Sequence, residues 1–250
     1  MAESATGSLL AHLIELRRRL MIVVVVVLVV FAALMPIANR LFTWLAVPLT
    51  KALPTGTTMI ATEVASPLFT PFKLAFVTAV FITIPVLLYQ AWAFIAPGLY
   101  RHERRMVFPL LLSSTLLFYT GMAFAYFIVF PIIFAFFTSV APQGVTVMTD
   151  INNFLDFTLT LFFAFGLVFE IPVASVLLVW TGVTTPAAMG KARPYVLLGA
   201  FVVGMLLTPP DILSQTLLAV PMYMLYESGI IFARILVPGA REVEAQRGQR

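Results

Sequence analysis

The fold class predicted for this 250-residue chain is all-α, a polytopic membrane protein with six transmembrane helices, short in the fifth and sixth spans. Three observations predict it. Hydrophobic residues make up 61% and charged residues only 10%, too few charges to cover a soluble domain of this length. The apolar residues fall in long runs rather than in the stripes of a water-facing helix. The basic residues are also strongly sided. Twelve of the fifteen Lys and Arg residues fall in the N-terminal segment, the second-to-third loop, the fourth-to-fifth loop and the C-terminal part; only Arg40, Lys51 and Lys73 lie on the other side. That asymmetry puts both termini in the cytoplasm and requires an even number of spans.

The spans are expected at about 20–38, 72–96, 106–137, 154–181, 194–208 and 212–233, each set against the roughly 20 apolar residues a ~30 Å hydrocarbon core requires. The first apolar run, Leu20 to Met35, contains no Gly, Pro or polar residue. Its basic flank (Arg17, Arg18, Arg19) resembles that of a signal peptide, but no A-x-A-like site follows and five further spans do, so it is expected to be retained. Pro85, Pro131, Pro172 and Pro221 lie inside spans and predict kinks, which neighbouring helices in a bundle can accommodate. Met106 to Phe137 would extend about 48 Å if fully helical, whereas Pro194 to Leu207 would extend only about 21 Å. The sixth run reaches Tyr226 before Glu227 interrupts it. Two readings of these short runs stand: a locally thin wall, or short spans packed behind long ones.

Two connections on the outer side are substantial and predict an outer cap. Leu41, Phe42, Leu45 and Leu49 recur at helical spacing beside Trp44, which suggests an interfacial helix broken near Pro48. Pro54-Thr55-Gly56-Thr57 and Ala141-Pro142-Gln143-Gly144 read as turns. Residues 1–237 are expected to form a single membrane domain, and 238–250 a disordered cytoplasmic tail.

The absence of cysteine excludes disulfides and thiolate metal sites. The net charge of +4 reflects the sidedness of the basic residues rather than affinity for nucleic acid. His12 and His102 lie outside the spans, and no H-E-x-x-H, G-x-S-x-G or phosphate-binding loop occurs. Neither an enzyme, a metal nor a cofactor is expected.

Polar residues at unexpected depth identify candidate sites. Glu170 lies within the fourth span, where an ionised group costs about 2.5–3.5 kcal/mol. It is either a polar site met by a transported chain or partner helix, or a protonated carboxyl bonded to a neighbouring helix; the first is the default for an intramembrane ionisable group. Gln90 and Gln215 read as interhelical hydrogen-bonding groups, and Asp211, after Pro209-Pro210, as a helix-start residue. Near the N-terminus, Leu9, Leu13, Leu16 and Leu20 form one helical face and His12, Glu15 and Arg19 the other, so the segment is expected along the inner membrane surface. Glu15 and Glu103 are rare carboxylates on a basic face. They either recognise a cation or pair locally, Glu15 with Arg18 or Arg19 and Glu103 with Arg104 or Arg105; physical chemistry alone favours local pairing.

Several runs, in order, resemble the TatC family, the receptor subunit of the twin-arginine protein translocase. They are His12-Leu-Ile-Glu-Leu-Arg, Ser66-Pro-Leu-Phe-Thr-Pro-Phe-Lys, Phe94-Ile-Ala-Pro-Gly-Leu-Tyr-Arg-His-Glu-Arg-Arg, Gly121-Met-Ala-Phe-Ala-Tyr-Phe, and Arg193-Pro-Tyr-Val through Leu207-Thr-Pro-Pro-Asp. The resemblance covers about residues 8 to 235. It implies a protein of the bacterial inner membrane that binds twin-arginine signal peptides and, with single-span TatA- and TatB-like partners and self-association, moves folded proteins across the membrane on the proton gradient. It assigns Glu15, Arg17, Phe94 and Glu103 to signal-peptide binding, reversing the preference for local pairing. It further assigns Met205, Asp211 and Gln215 to partner-helix docking, Pro48 to the outer cap and assembly, and Glu170 to the concave bundle surface. The competing classes are an ion-coupled secondary transporter, which predicts inverted repeats that the unequal halves do not offer, and a passive membrane scaffold.

Overall fold

The computed structural model describes residues 2–52, 59–95, 104–140, 148–207 and 212–237, which hold nine α-helices and, among these described residues, no strand. Six helical stretches are long and apolar enough to cross a membrane: Leu13–Val47, Ser66–Phe94, Phe108–Phe137, Ile151–Trp180, Pro186–Leu206 and Gln215–Leu236. The last two, 21 and 22 residues long, are the shortest. Leu20, Val25, Leu28 and Val29 are all more than half exposed along the first stretch, a surface that only lipid can solvate without cost. The chain divides into two compact units: Met1–Thr115 with Thr146–Leu155, and Leu116–Val145 with Asp156–Arg250.

The first unit is built on α1 (Ala2–Leu34), α2 (Ala38–Ala52) and α3 (Ser66–Ile95). No Gly or Pro occurs between Ser8 and Met35, so nothing divides the N-terminal amphipathic segment from the span. The two form one continuous helix, which corrects the expectation of a separate segment along the membrane surface. A 3₁₀ turn, Met35–Ile37, carries Pro36 and joins α1 to α2. The break expected near Pro48 is also absent. Ala46 and Leu49 are buried on either side of it, so packing carries α2 on to Ala52. α1 and α3 run antiparallel, with Phe31 edge-on to Phe76 at 5.6 Å near one end and Arg19 bonded to Gln90 near the other. Ala75 and Ala79, one helical turn apart and fully buried, give α3 a close-approach face.

The two loop segments flanking this unit are joined. Ile60 donates to the Thr149 carbonyl at 3.0 Å, and Ile151 donates to the Ile60 carbonyl at 2.9 Å. Asp150 caps α6 (Ile151–Val168), with Oδ1 accepting from the Asn152 and Asn153 backbone N–H groups at 2.8 and 3.2 Å. Its Oδ2 accepts from the Thr62 backbone and hydroxyl at 2.9 and 2.7 Å. The Asn152 side chain bonds both Ser66 and Thr70 of α3. The hydroxyl and backbone N–H of Thr62, followed by the α6 amides, hold the Asp150 carboxyl down at about 2 against an ordinary 3.8. A depressed folded-state pKa contributes stability above about 3.8 that is lost as pH falls through about 2. Thermal unfolding scans should therefore show wild type losing stability across that window. Asp150→Asn, which offers no second acceptor to Thr62, should be less stable at neutral pH and lose less than wild type across that window.

The second unit contains the C-terminal part of α4 (Arg104–Phe124), then α5 (Phe130–Ser139), most of α6, α7 (Ile171–Trp180), α8 (Pro186–Leu207) and α9 (Ile212–Leu236). The third apolar run is not one helix. A π segment, Ala125–Val129, lies between α4 and α5 just before Pro131, whose missing N–H breaks the regular ladder. The fourth run divides at Phe169 and Glu170, ahead of Pro172, into α6 and α7. Pro85 and Pro221, by contrast, sit inside the unbroken helices α3 and α9.

Glycines set the closest helix contacts. A Cβ at Gly121 would lie 2.9 Å from the Phe165 carbonyl carbon, and nearer still to its oxygen. One at Gly229 would lie 2.6 Å from Ser175 Oγ. Aromatic rings fill the space between, with Phe130 stacked on Phe162 at 5.4 Å and Phe124 against both Phe165 and Phe169. Gly182, at φ +74°, adopts the left-handed conformation that ends α7, and Thr185 caps α8 through the Ala188 N–H at 3.2 Å. With that cap, α8 starts at Pro186, eight residues before the apolar run at Pro194.

Candidate functional site

The polar face of the N-terminal segment turns onto α3. Arg19 Nε donates to Glu15 Oε1 at 3.0 Å, and Nη2 donates to the same oxygen. Arg19 Nη1 donates to Gln90 Oε1 at 3.1 Å, linking α1 to α3. Leu13 and Leu20 remain 59% exposed, while Arg19 of the polar face turns to Gln90 of α3. In lipid that is the favourable arrangement, because apolar side chains need no partner and polar ones do.

Beside this polar link lies a groove of about 390 Å³, lined by Leu16, Arg19, Leu20 and Val23 of α1 and by Leu87, Gln90, Ala91 and Phe94 of α3. Its walls are mostly apolar, and its polar lining is Gln90 and Arg19, the latter bonded to Glu15. Such a groove can accept an apolar segment, while the half-exposed Glu15 carboxylate can accept a cation bearing several N–H donors. Of the residues expected to bind a signal peptide, Phe94 lines the groove, and Glu15 bonds Arg19, which lines it too. Arg17 is exposed and does not line the groove. Glu103 lies outside the described residues. The interhelical bond of Gln90 and the local pairing of Glu15 with Arg19 are as expected from the sequence; that Gln90 meets Arg19 was not legible from spacing, since they are 71 positions apart.

Of the remaining candidates, Glu170, Met205 and Gln215 lie in the second unit. Glu170 is partly buried at the N-cap position of α7, where the helix dipole favours a carboxylate, and its carbonyl accepts from Ala174 N–H at 2.9 Å. Met205 is 51% exposed on α8, and Gln215 is half-buried on α9 against Gly204, whose Cβ position lies 3.5 Å from the Gln215 backbone. Asp211 lies outside the described residues. Pro48 is within α2, but its side chain lies outside the described residues.

One ion pair was not anticipated. Arg193 of α8 donates Nε and Nη2 to the two oxygens of Glu227 on α9, at 2.6 and 2.8 Å, a two-pronged fork. Nearby, the buried Tyr226 hydroxyl donates to the Met189 carbonyl at 2.8 Å. Glu227 interrupts the sixth apolar run because it meets this guanidinium.

The whole chain is similar to known proteins. Residues 11–221 match the family model for the Sec-independent protein translocase protein TatC. The Sec-independent protein translocase protein TatC of Escherichia coli (strain K12) is 57% identical over 244 residues, covering 98% of this chain and 95% of that one. The protein of the same name from Haemophilus influenzae is 56% identical over 230 residues, covering 92% and 90%. A crystal structure of the twin-arginine translocase receptor TatC superposes with a TM-score of 0.78 at 37% identity, covering 90% of this chain and 98% of that one. With six membrane-length apolar helices and a match across most of its length, the chain is a multi-pass membrane protein that belongs to the TatC family of Sec-independent protein translocase proteins.

Proposed function

We infer that this chain is the signal-peptide receptor and core subunit of a twin-arginine translocase in the bacterial inner membrane, with both termini in the cytoplasm. The observation that supports the reading is the groove between α1 and α3, lined by Phe94 and by Arg19, whose guanidinium bonds Glu15, in a chain similar over 90% of its length to a twin-arginine translocase receptor. A guanidinium is matched by carboxylate oxygens through geometry as well as charge, which a general cation site lacks. The arginine pair docks at Glu15 and Glu103, and the hydrophobic part of the signal peptide follows the apolar walls. Arg17, exposed two residues from both Glu15 and Arg19, contributes to the same region. Single-span TatA- and TatB-like helices gather at the outer ends of α8 and α9, at Met205, Asp211 and Gln215, where the two shortest spans make the thinnest wall. Glu170 supplies a polar site within the membrane, and Pro48 supports the outer cap during assembly.

The experiment is site-specific photocrosslinking from position 103 in membranes supplied with a twin-arginine precursor. A crosslink to the precursor that is lost when its two arginines become lysines is expected. No crosslink at any precursor concentration contradicts a receptor site there.

A further inference from the structure

Arg19 occupies the carboxylate that the receptor reading assigns to the incoming arginines. Two of its donors go to Glu15 Oε1 and a third goes to Gln90 Oε1. Of the three consecutive arginines, Arg17 and Arg18 are exposed, while the Arg19 side chain is only 22% exposed. Glu followed four residues later by a basic residue is the favourable order for a pair on one helix, and Gln90 anchors the guanidinium from the opposite helix. Both contacts to Glu15 fall on one oxygen; among the described residues, Oε2 accepts no hydrogen bond. Among the described residues, the carboxylate is therefore held through one oxygen.

We propose that Arg19 is a resident placeholder for a signal-peptide arginine, holding Glu15 in the empty receptor and yielding it by exchange. The proposal rests on the receptor reading above. Exchanging one guanidinium for another at the same carboxylate leaves the number of charge-assisted hydrogen bonds nearly unchanged. A ligand with a single arginine therefore gains less at Glu15 than it would at an unoccupied carboxylate, since it must first displace Arg19. Net affinity has to come from a second arginine at another carboxylate and from the apolar groove. The placeholder thereby suppresses binding of the many basic segments that approach a membrane surface, a use of competition to obtain specificity. Gln90 gives the displaced Arg19 a place to remain, so that the freed guanidinium is not left without a partner in the groove.

The test is a titration of the full-length protein in lipid nanodiscs with a fluorescent twin-arginine peptide, using wild type, Arg19→Gln, Glu15→Gln and the double variant. Arg19→Gln is expected to tighten binding about two- to five-fold, the range for releasing one half-exposed ion pair. The same substitution in the Glu15→Gln background is expected to give no gain, because the competed carboxylate is gone. Arg19→Met, which keeps the apolar stem, serves as a second uncharged variant with the same expectation. Unchanged or weaker binding by both uncharged variants would overturn the placeholder. An equal gain with and without Glu15 would also overturn it, since the effect would then be general repulsion of the peptide by Arg19. Failure of wild type to bind the peptide, or equal binding by wild type and Glu15→Gln, would instead sink the receptor reading on which it rests.

Discussion

Gly121→Leu is expected to destabilise the second unit by more than about 3 kcal/mol, above the ordinary cost of overpacking. The reason is what the new side chain would meet. Its Cβ alone would fall 2.9 Å from the Phe165 carbonyl carbon and 3.0 Å from Phe169 Cβ. The first is backbone of α6 and cannot rotate away, so α4 and α6 would have to separate. Separation would also open the aromatic cluster in which Phe124 packs on Phe165 and Phe169. Gly199, in α8, is the internal control: nothing lies within 4 Å of its Cβ position. Gly199→Ala should be neutral to stabilising, by up to about 1 kcal/mol, because alanine favours a helix interior over glycine. Thermal unfolding of the detergent-solubilised proteins, read by tryptophan fluorescence, checks both. A Gly121→Leu protein that melts with wild type would mean that α4 and α6 do not approach this closely.

The contrast between these glycines shows where the sequence was readable. The spans were legible because lipid imposes a simple demand, long apolar runs with satisfied backbone, and α1, α3, α8 and α9 meet it with recognisable runs. Helix ends were less legible. Thr185-Pro186 is a good helix start, yet the fifth span was expected from Pro194, because Lys191 and Arg193 interrupt hydropathy without interrupting the helix. The expected break near Pro48 failed for the converse reason, since tertiary burial of Ala46 and Leu49 outweighs a local breaker. Pairings between distant positions were not legible at all. Nothing in the spacing of Arg19 and Gln90, or of Arg193 and Glu227, announces that each pair meets. Gly121 was noticed as part of a family run, but the need for glycine there comes from the Phe165 backbone 44 positions away.

Loss of cargo export in the Glu15→Gln and Glu103→Gln variants is the second large effect expected. The substitution is nearly isosteric, so packing around the groove should survive. What changes is the acceptor: a neutral amide has one acceptor oxygen and no charge to offer a guanidinium. Removing one partner from a fully buried, hydrogen-bonded charge pair costs about 2–5 kcal/mol. Glu15 is half-exposed, with side-chain exposure of 36%, so the lower end of that range is the fair expectation, corresponding to at least a ten-fold loss of signal-peptide affinity for each carboxylate. Because both arginines contribute to one ligand, the double variant should fall below detectable binding.

The most direct measurement is export of a folded twin-arginine precursor in cells carrying Glu15→Gln, Glu103→Gln or both, with the membrane level of each variant verified by immunoblot. The expected result is reduced export in each single variant and none in the double variant, at wild-type protein levels. Wild-type export by the double variant at equal protein level would contradict a receptor whose inner-face carboxylates select the arginine pair.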